Sequence, residues 1–138
     1  MKIDSLNRGI VIDHIKAGNA MKIYEYLGLD KVESSVAIIK NVKSSKMGKK
    51  DIIKIDEVTE VDIAVLGYID PEITVNIIND GKITEKRRLE LPSEIVGVVK
   101  CKNPRCITST ESALPQRFKL CDRDKRVYRC VYCDAEIK

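Results

Sequence analysis

The feature that most constrains the fold of this chain is a set of four cysteines in its last third. They form two close pairs, Cys101 with Cys106 and Cys130 with Cys133, in the pattern C-x4-C and C-x2-C with 23 residues between the pairs. Two thiolate pairs at such spacings complete the tetrahedral coordination that is typical of structural zinc. Because a closed four-thiolate site leaves no position for water, we expect one structural Zn2+ per chain and no chemistry at the metal.

The alternative interpretation of these cysteines is a pair of disulfides or a set of reduced thiols. The first residues show no secretory signal, and no apolar run approaches the length of a membrane span, so we expect a cytoplasmic protein with no membrane partner. A reducing compartment disfavours disulfides. A fifth cysteine, Cys121, has no partner at ligand spacing and is predicted to be a small, half-buried apolar side chain.

The charge distribution bears on the kind of partner. The net charge is +4, and residues 1–93 carry 15 basic and 15 acidic side chains, whereas residues 94–138 carry 10 and 6. Four thiolates and one Zn2+ leave about +2 on the metal-binding part. Modules that bind nucleic acid usually show a stronger basic face with exposed aromatic residues. We therefore expect no nucleic-acid partner, and a zinc-ribbon nucleic-acid-binding protein stays open as the alternative.

The first two thirds of the chain predict an α+β domain. A helix is predicted over 18–27, with Gly28 as its C-terminal cap, and a second helix ends near Ile69 after a capping box formed by Thr59 and Asp62. Residues 43–50 are predicted to be a loop, and Asp80-Gly81 a tight hairpin turn. Extended segments are predicted at 3–6, 10–15, 35–42, 51–56, 73–78 and 82–89.

The order of these elements is β-α-β-β-α-β with one extra strand. This order predicts a ferredoxin-like antiparallel sheet with two helices on one face. In the first strand, Ile10 and Ile12 are expected on one face and Ile15 on the other. A boundary near Pro92 divides the chain into domains 1–92 and 93–138. Strands over 95–100 and 125–129, each leading into a cysteine pair, predict a small zinc-bound all-β domain that needs its metal to fold.

No catalytic constellation is visible in the first domain. His14 follows Asp13, and such a pair on a strand end is more often structural than functional. Lysines on separate strands, among them Lys50, Lys54 and Lys86, could converge to bind a polyphosphate or could form a solvated basic face. An enzyme on this fold would require an acid–base pair or an open metal site, and the sequence shows neither.

Several strings of the sequence together resemble a known family. They are Gly9-Ile-Val-Ile-Asp13-His14-Ile15, Met47-Gly-Lys-Lys-Asp-Ile-Ile-Lys54-Ile55, Thr74-Val-Asn76 and the spacing of the four cysteines. Along essentially its whole length the chain resembles the regulatory chain of aspartate carbamoyltransferase.

The resemblance implies a non-catalytic subunit in pyrimidine biosynthesis. Its N-terminal domain would bind the nucleotide effectors ATP, CTP and UTP, and its zinc domain would dock on the catalytic chain of aspartate carbamoyltransferase. The effectors would allosterically control that catalytic chain. The resemblance also implies a homodimer of regulatory chains within a larger hetero-oligomer.

The resemblance further implies which residues bind the nucleotide. Asp13 would bind the ribose, His14 would lie beside the ribose and phosphates, and Lys86 would face the triphosphate. Lys54 would face the sugar and base. The remaining implied positions are Leu6, whose backbone would read the base, Ile83 as an apolar wall, Asn76 and Lys50 as further polar lining, and Ile3 and Asp4 in the stretch that closes over the ligand. Gly81 stands where the family's best-known pattern has a tyrosine.

Overall fold

The computed structural model describes residues 7–58 and 60–137. The chain divides into two compact units, Met1–Glu90 and Leu91–Lys138. The predicted strand over 3–6, the implied site residues Ile3, Asp4 and Leu6, and the predicted cap Thr59 lie outside the described residues. Within the described part, no helix is both long and apolar enough to cross a membrane.

The first unit is built on a five-stranded antiparallel sheet. The elements are β1 Gly9–Lys16, α1 Ala20–Tyr26, β2 Val36–Ser44, β3 Gly48–Asp56, α2 Ile63–Ile69, β4 Thr74–Asn79 and β5 Lys82–Arg88. A short 3-10 turn, Leu29–Lys31, follows the first helix. In the described residues the strand order is β2-β3-β1-β4-β5, which is the ferredoxin-like order with β5 added at one edge, so the predicted fold class is confirmed.

The core of this unit lies between one face of the sheet and the two helices. Ile12 of β1, Ile53 of β3 and Val75 of β4 are almost completely buried, and they belong to one cluster with Ile23 of α1 and Leu66 of α2. Burial of each such side chain contributes roughly 1.5–3 kcal/mol. Among the described residues, no helix of this unit packs on the opposite face of the sheet, the open face.

A β-bulge in β1 overturns one sequence prediction. Ile15, expected on the open face, is fully buried with the core. The register pairs Ile12 with Ile53 but Ile15 with Asp51, so β1 has one extra residue between these pairs. His14 lies within the bulge with a φ of 58°. The extra residue shifts the alternation by one position, which returns Ile15 to the core.

The hairpin of β2 and β3 is longer than predicted. Residues 43–50, expected to be a loop, belong largely to the two strands, because the pairs Lys43 with Lys49 and Ser44 with Gly48 continue the ladder. Only residues 45–47 connect the strands. The sequence prediction was wrong because polar, solvated strand ends have the same composition as a loop.

The start of α2 also differs from the sequence prediction. Asp62 is itself the N-cap, since its Oδ1 accepts a hydrogen bond from the Val65 N–H at 3.2 Å. The predicted capping box, in which Asp62 would lie three residues after the cap, is therefore wrong. The helix ends at Ile69, as Asp70-Pro71 predicted. In the following hairpin Asp80 and Gly81 have φ of 51° and 75°, the backbone of the predicted tight turn.

The second unit contains a three-stranded antiparallel sheet in the described residues, in the order β6-β7-β8. Its strands are β6 Glu94–Val96, β7 Arg117–Asp122 and β8 Val127–Cys130. Ile95, Phe118 and Tyr128 form its buried centre. The strand predicted over 95–100 is wrong in its extent, since β6 ends at Val96 and the next residue, Gly97, has a φ of 71°.

Candidate functional site

The four paired cysteines converge in the second unit. Their sulfur atoms all lie within 4.8 Å of one another. The Sγ atoms of Cys101 and Cys133 are 3.6 Å apart, and those of Cys106 and Cys130 are 3.7 Å apart. A tetrahedral ion with metal–sulfur bonds of about 2.3 Å separates its sulfurs by about 3.8 Å. A disulfide bond would need a separation of about 2.05 Å, so the geometry fits a metal and not the disulfide alternative.

Tight turns aim these sulfurs inward. The Cys101 sulfur accepts a hydrogen bond from the backbone N–H of Asn103, and the Cys130 sulfur accepts from the N–H groups of Tyr132 and Cys133. Each turn therefore places backbone donors beside sulfur. Such donors stabilise the thiolate form, which is the form that binds a metal.

The surroundings of the cysteines move their pKa values apart. Burial raises the pKa of Cys101 to about 12, and burial also raises the pKa of Cys130. Hydrogen bonds from Thr108 lower the pKa of Cys106 to about 7. With raised pKa values, Cys101 and Cys130 hold their protons at neutral pH until a cation displaces them, so metal binding releases protons here.

Cys121 does not match its prediction. It was expected to be half-buried but is exposed, with its thiol 3.7 Å from the carbonyl oxygen of Lys119. The register of β7 against β8 shifts between Leu120 and Asp122, and this irregularity turns the side chain out to solvent. Cys121 is not a member of the four-sulfur cluster.

A row of polar side chains crosses the open face of the first unit. Lys54 of β3 pairs with Val11 of β1, Val11 pairs with Asn76 of β4, and Asn76 pairs with Lys86 of β5. Residues directly opposite each other in a sheet share a face. Lys54, Asn76 and Lys86, which are far apart in sequence, therefore lie along one line on the face away from the helices.

A second polar group lies beside this row, at the bulge of β1. Lys50 Nζ is 2.9 Å from Asp13 Oδ1, and both side chains are mostly buried. His14 Nδ1 is 2.9 Å from Thr74 Oγ1, and the backbone N–H of His14 donates to Asp13 Oδ1 at 2.6 Å. The bulge thus presents Asp13 and His14 together, with Lys50 and Thr74 holding them in place.

Five of the predicted site residues line one cavity of about 470 Å³. This volume is within the usual range for small-molecule sites. Of the other predicted residues, Lys50 and Lys54 do not line the cavity. Lys50 is connected to it through an ion pair with Asp13, and Lys54 lies further along the row of polar side chains. Leu6 is outside the described residues. The five are Asp13, His14, Asn76, Ile83 and Lys86.

The cavity wall is cationic. Lys46, Lys86 and Arg88 line it, and none has an acidic partner within 4.0 Å in the part of the chain that the structure describes. Arg87 also lines it and is paired with Glu85 at 2.8 Å. Asp13 and Glu72 are the acidic residues of the lining, and Lys50 balances the charge of Asp13. Because Lys46, Lys86 and Arg88 still outnumber Glu72, the wall is suited to a polyanion.

Asn76 adds a polar group that lacks a partner. Its Oδ1 atom is buried and has no hydrogen-bond partner among the described residues. A buried acceptor without a partner costs about 1–3 kcal/mol. A bound molecule that donates a hydrogen bond to Asn76 would recover this cost.

The sequence did not point to several residues of this region. Thr74, Lys46 and Arg88 line the cavity but were not among the predicted positions. Thr74 could have been found as the cross-strand partner of Asp13, but this requires the register of β1 against β4, which the sequence does not state. Asp51 was also missed, since a carboxylate at the start of an apolar strand gives no sign that it is fully buried.

The structure combines an α+β unit that carries a charged cavity with a second unit that carries a four-cysteine cluster suited to a metal ion. Residues 1–90 match the family model described as the aspartate carbamoyltransferase regulatory chain, allosteric domain, and residues 93–138 match the metal binding domain of that chain. The chain belongs to the aspartate carbamoyltransferase regulatory chain family, which confirms the resemblance seen in the sequence.

Three relatives illustrate the match, and each is named aspartate carbamoyltransferase regulatory chain. The Clostridium tetani protein is 57% identical over 139 residues, covering 100% of this chain and 96% of the relative. The Clostridium acetobutylicum protein is 55% identical over 138 residues, covering 100% and 94%. The Bifidobacterium longum protein is 44% identical over 138 residues, covering 100% and 99%.

Membership in this family settles several of the expectations. The chain is a regulatory, non-catalytic subunit with an allosteric domain and a metal-binding domain. A regulatory chain implies a catalytic chain as its partner, and the enzyme to which both belong places the chain in pyrimidine biosynthesis. The four-cysteine cluster lies in the matched metal-binding domain.

Proposed function

We propose that this chain binds the nucleotides ATP, CTP and UTP on the open face of its first unit and thereby controls the catalytic chain. One observation carries the proposal. Asp13, His14, Asn76, Ile83 and Lys86 converge on a single cationic cavity within the region matched to an allosteric domain.

The proposed role of each residue follows from its place in the cavity. Lys86 receives the triphosphate, because it is a cation without an acidic partner among the described residues. Asp13 accepts hydrogen bonds from the ribose hydroxyls, and its ion pair with Lys50 holds the carboxylate in place. His14 lies between these two contacts, and Ile83, 52% exposed, offers an apolar wall.

Lys54 and Leu6 complete the proposed site on the side of the sugar and base. Two strand spacings of about 4.8 Å each separate the backbones of Lys54 and Asn76, a gap that an extended ligand and a lysine side chain can cover together. ATP and CTP share a triphosphate, so the lysines give both a common affinity. Backbone contacts, including that of Leu6, then distinguish purine from pyrimidine.

The test is nucleotide binding to the Lys86→Ala variant, measured by titration calorimetry with ATP, CTP and UTP. Loss of a charge-assisted hydrogen bond of about 1.5–3 kcal/mol predicts that all three bind at least about 10-fold more weakly. Lys82→Ala is the control, because Lys82 lies on the same strand but does not line the cavity. Loss of CTP binding with ATP unaffected would contradict a shared role of Lys86 at the triphosphate.

We further assign residues 1–92 to nucleotide binding and residues 93–138 to zinc binding and docking on the catalytic chain. Four thiolates at tetrahedral spacing are a typical set for structural zinc. The segments 102–105 and 131–132 lie between ligands, so the metal fixes both of their ends. Val131 and Tyr132 are each 38% exposed, and Ile107 is 51% exposed, which supports a docking surface here.

The remaining parts of the proposal concern assembly and location. Regulatory chains form a homodimer through the first domain, within a larger hetero-oligomer that contains the catalytic chain. The edge strand β2 supports this, since its outer backbone groups pair with no other strand among the described residues and can pair with a second chain. A cytoplasmic location fits cysteines that must stay reduced to bind the metal.

A further inference from the structure

Cys106 has a buried polar neighbour outside the set of four cysteines. Thr108 lies two residues after it, in the 3-10 turn Ile107–Ser109, and is 7% exposed. Its hydroxyl donates a hydrogen bond to Cys106 Sγ, with an oxygen–sulfur distance of 3.1 Å. In the described part of the chain, no other side chain apart from the cysteines themselves donates to a sulfur of the cluster.

The backbone around this contact is fixed independently of the hydroxyl. The Cys106 N–H donates to Asn103 O at 3.0 Å, and Cys106 O accepts from the Ser109 N–H at 2.9 Å. The Ser109 hydroxyl also reaches Cys106 O at 2.6 Å. The turn is therefore closed at both ends, and Thr108 is held with its hydroxyl against sulfur.

The burial of this pair gives the contact its importance. Cys106 is 1% exposed, so water does not solvate its sulfur to any extent. A divalent metal with four thiolates carries a net charge of −2, which is costly in a buried site unless hydrogen bonds stabilise it. The Thr108 hydroxyl is placed to stabilise that charge at the most deeply buried end of the cluster.

We propose that Thr108 is a positioning residue for the metal, which orients the Cys106 thiolate and stabilises its charge in the bound state. The inference rests on the proposed zinc at the four cysteines. Hydrogen-bond partners of metal ligands typically contribute 10–100-fold to metal affinity. We expect removal of the hydroxyl to weaken zinc binding by about 10-fold or more.

The experiment compares zinc affinity of full-length variants in competition with a chromophoric chelator. Thr108→Val keeps the shape and removes the donor, Thr108→Ser keeps the donor, and Thr108→Ala replaces the valine variant if that variant does not fold. Thr110→Val is the matched control, because Thr110 is exposed and its hydroxyl donates to Ile107 O and, among the described residues, to no cluster sulfur. Weakened binding is expected for Val or Ala, and wild-type binding for Ser and for the control.

A spectroscopic measurement separates this role from a merely structural one. In the Co2+-substituted chain, loss of the hydrogen bond raises the energy of the sulfur lone pair and shifts the sulfur-to-metal charge-transfer band to lower energy. Thr108→Ser should restore the band. Two results would overturn the role of Thr108 and leave the metal assignment intact. The first is a Thr108→Val variant with wild-type zinc affinity and an unshifted band. The second is a Thr108→Ser variant that binds zinc as weakly as the valine variant. A wild-type chain that binds no Zn2+ or Co2+ would overturn the metal assignment and the inference with it.

Discussion

Asp51 shows how one residue connects several parts of the first unit. Its carboxylate is completely buried and accepts hydrogen bonds from the N–H groups of Gly18 and Ala20, at 3.0 and 3.3 Å, and of Asn41, at 3.0 Å. These donors belong to the turn before α1, to the helix itself and to β2. The carboxylate, which lies on β3, therefore links the start of α1 to β2.

Replacement of Asp51 by alanine is predicted to destabilise the first unit by about 3 kcal/mol, since it leaves three backbone donors without their charged acceptor in a buried place. Urea unfolding of the metal-loaded chain measures this loss. Asp30→Ala, at an exposed aspartate, is the control and should cost less than about 0.5 kcal/mol. Equal losses in the two variants would show that the Asp51 contacts contribute little.

The two candidate sites differ in how well single residues could be predicted. The four metal ligands follow from spacing, because two cysteine pairs at short intervals have few other uses. The cavity residues Asp13 and Asn76 lie far apart in sequence and were identified as binding residues through the family resemblance, whereas Lys86 was also among the lysines expected to converge. Their convergence depends on strand register, and no local pattern states which residues of β1, β4 and β5 are paired.

At the scale of elements, the hydrophobic pattern predicted most of the strands and both helices. Its main error, the side of β1 on which Ile15 lies, has a physical cause that the sequence itself contains. The buried isoleucines stand at 10, 12 and 15, so the spacing changes from two to three where the bulge occurs. The same bulge places Asp13 and His14 at the cavity, so the break in periodicity coincides with residues of the proposed nucleotide site.

A prediction at this scale concerns the start of α2. Asp62→Ala removes the acceptor for the Val65 N–H and should lower the stability of the first unit by about 1 kcal/mol, whereas Asp62→Asn should keep most of it. The midpoint of urea unfolding reports both. A loss no larger than that of Glu60→Ala, at an exposed neighbour, would argue against Asp62 as the cap.

At the scale of the whole molecule, the sequence predicted two classes of site in two parts of the chain. An open sheet face with unpaired cations can accept a polyanionic ligand, while a closed four-thiolate site stabilises a surface and performs no chemistry. Regulation requires that the effector bind two states of an assembly with different affinities. The proposed regulation therefore requires both parts of this chain together with the catalytic chain.

The most direct test is the rate of carbamoyl-aspartate formation by the complex reconstituted from this chain and its catalytic partner, at subsaturating aspartate, with and without each nucleotide. With the wild-type chain, we expect nucleotides to change the rate. With Lys86→Ala the response should be lost at the same nucleotide concentrations, although the complex assembles to the same size. An undiminished nucleotide response with Lys86→Ala, or no response from an assembled wild-type complex, would contradict the proposed regulation.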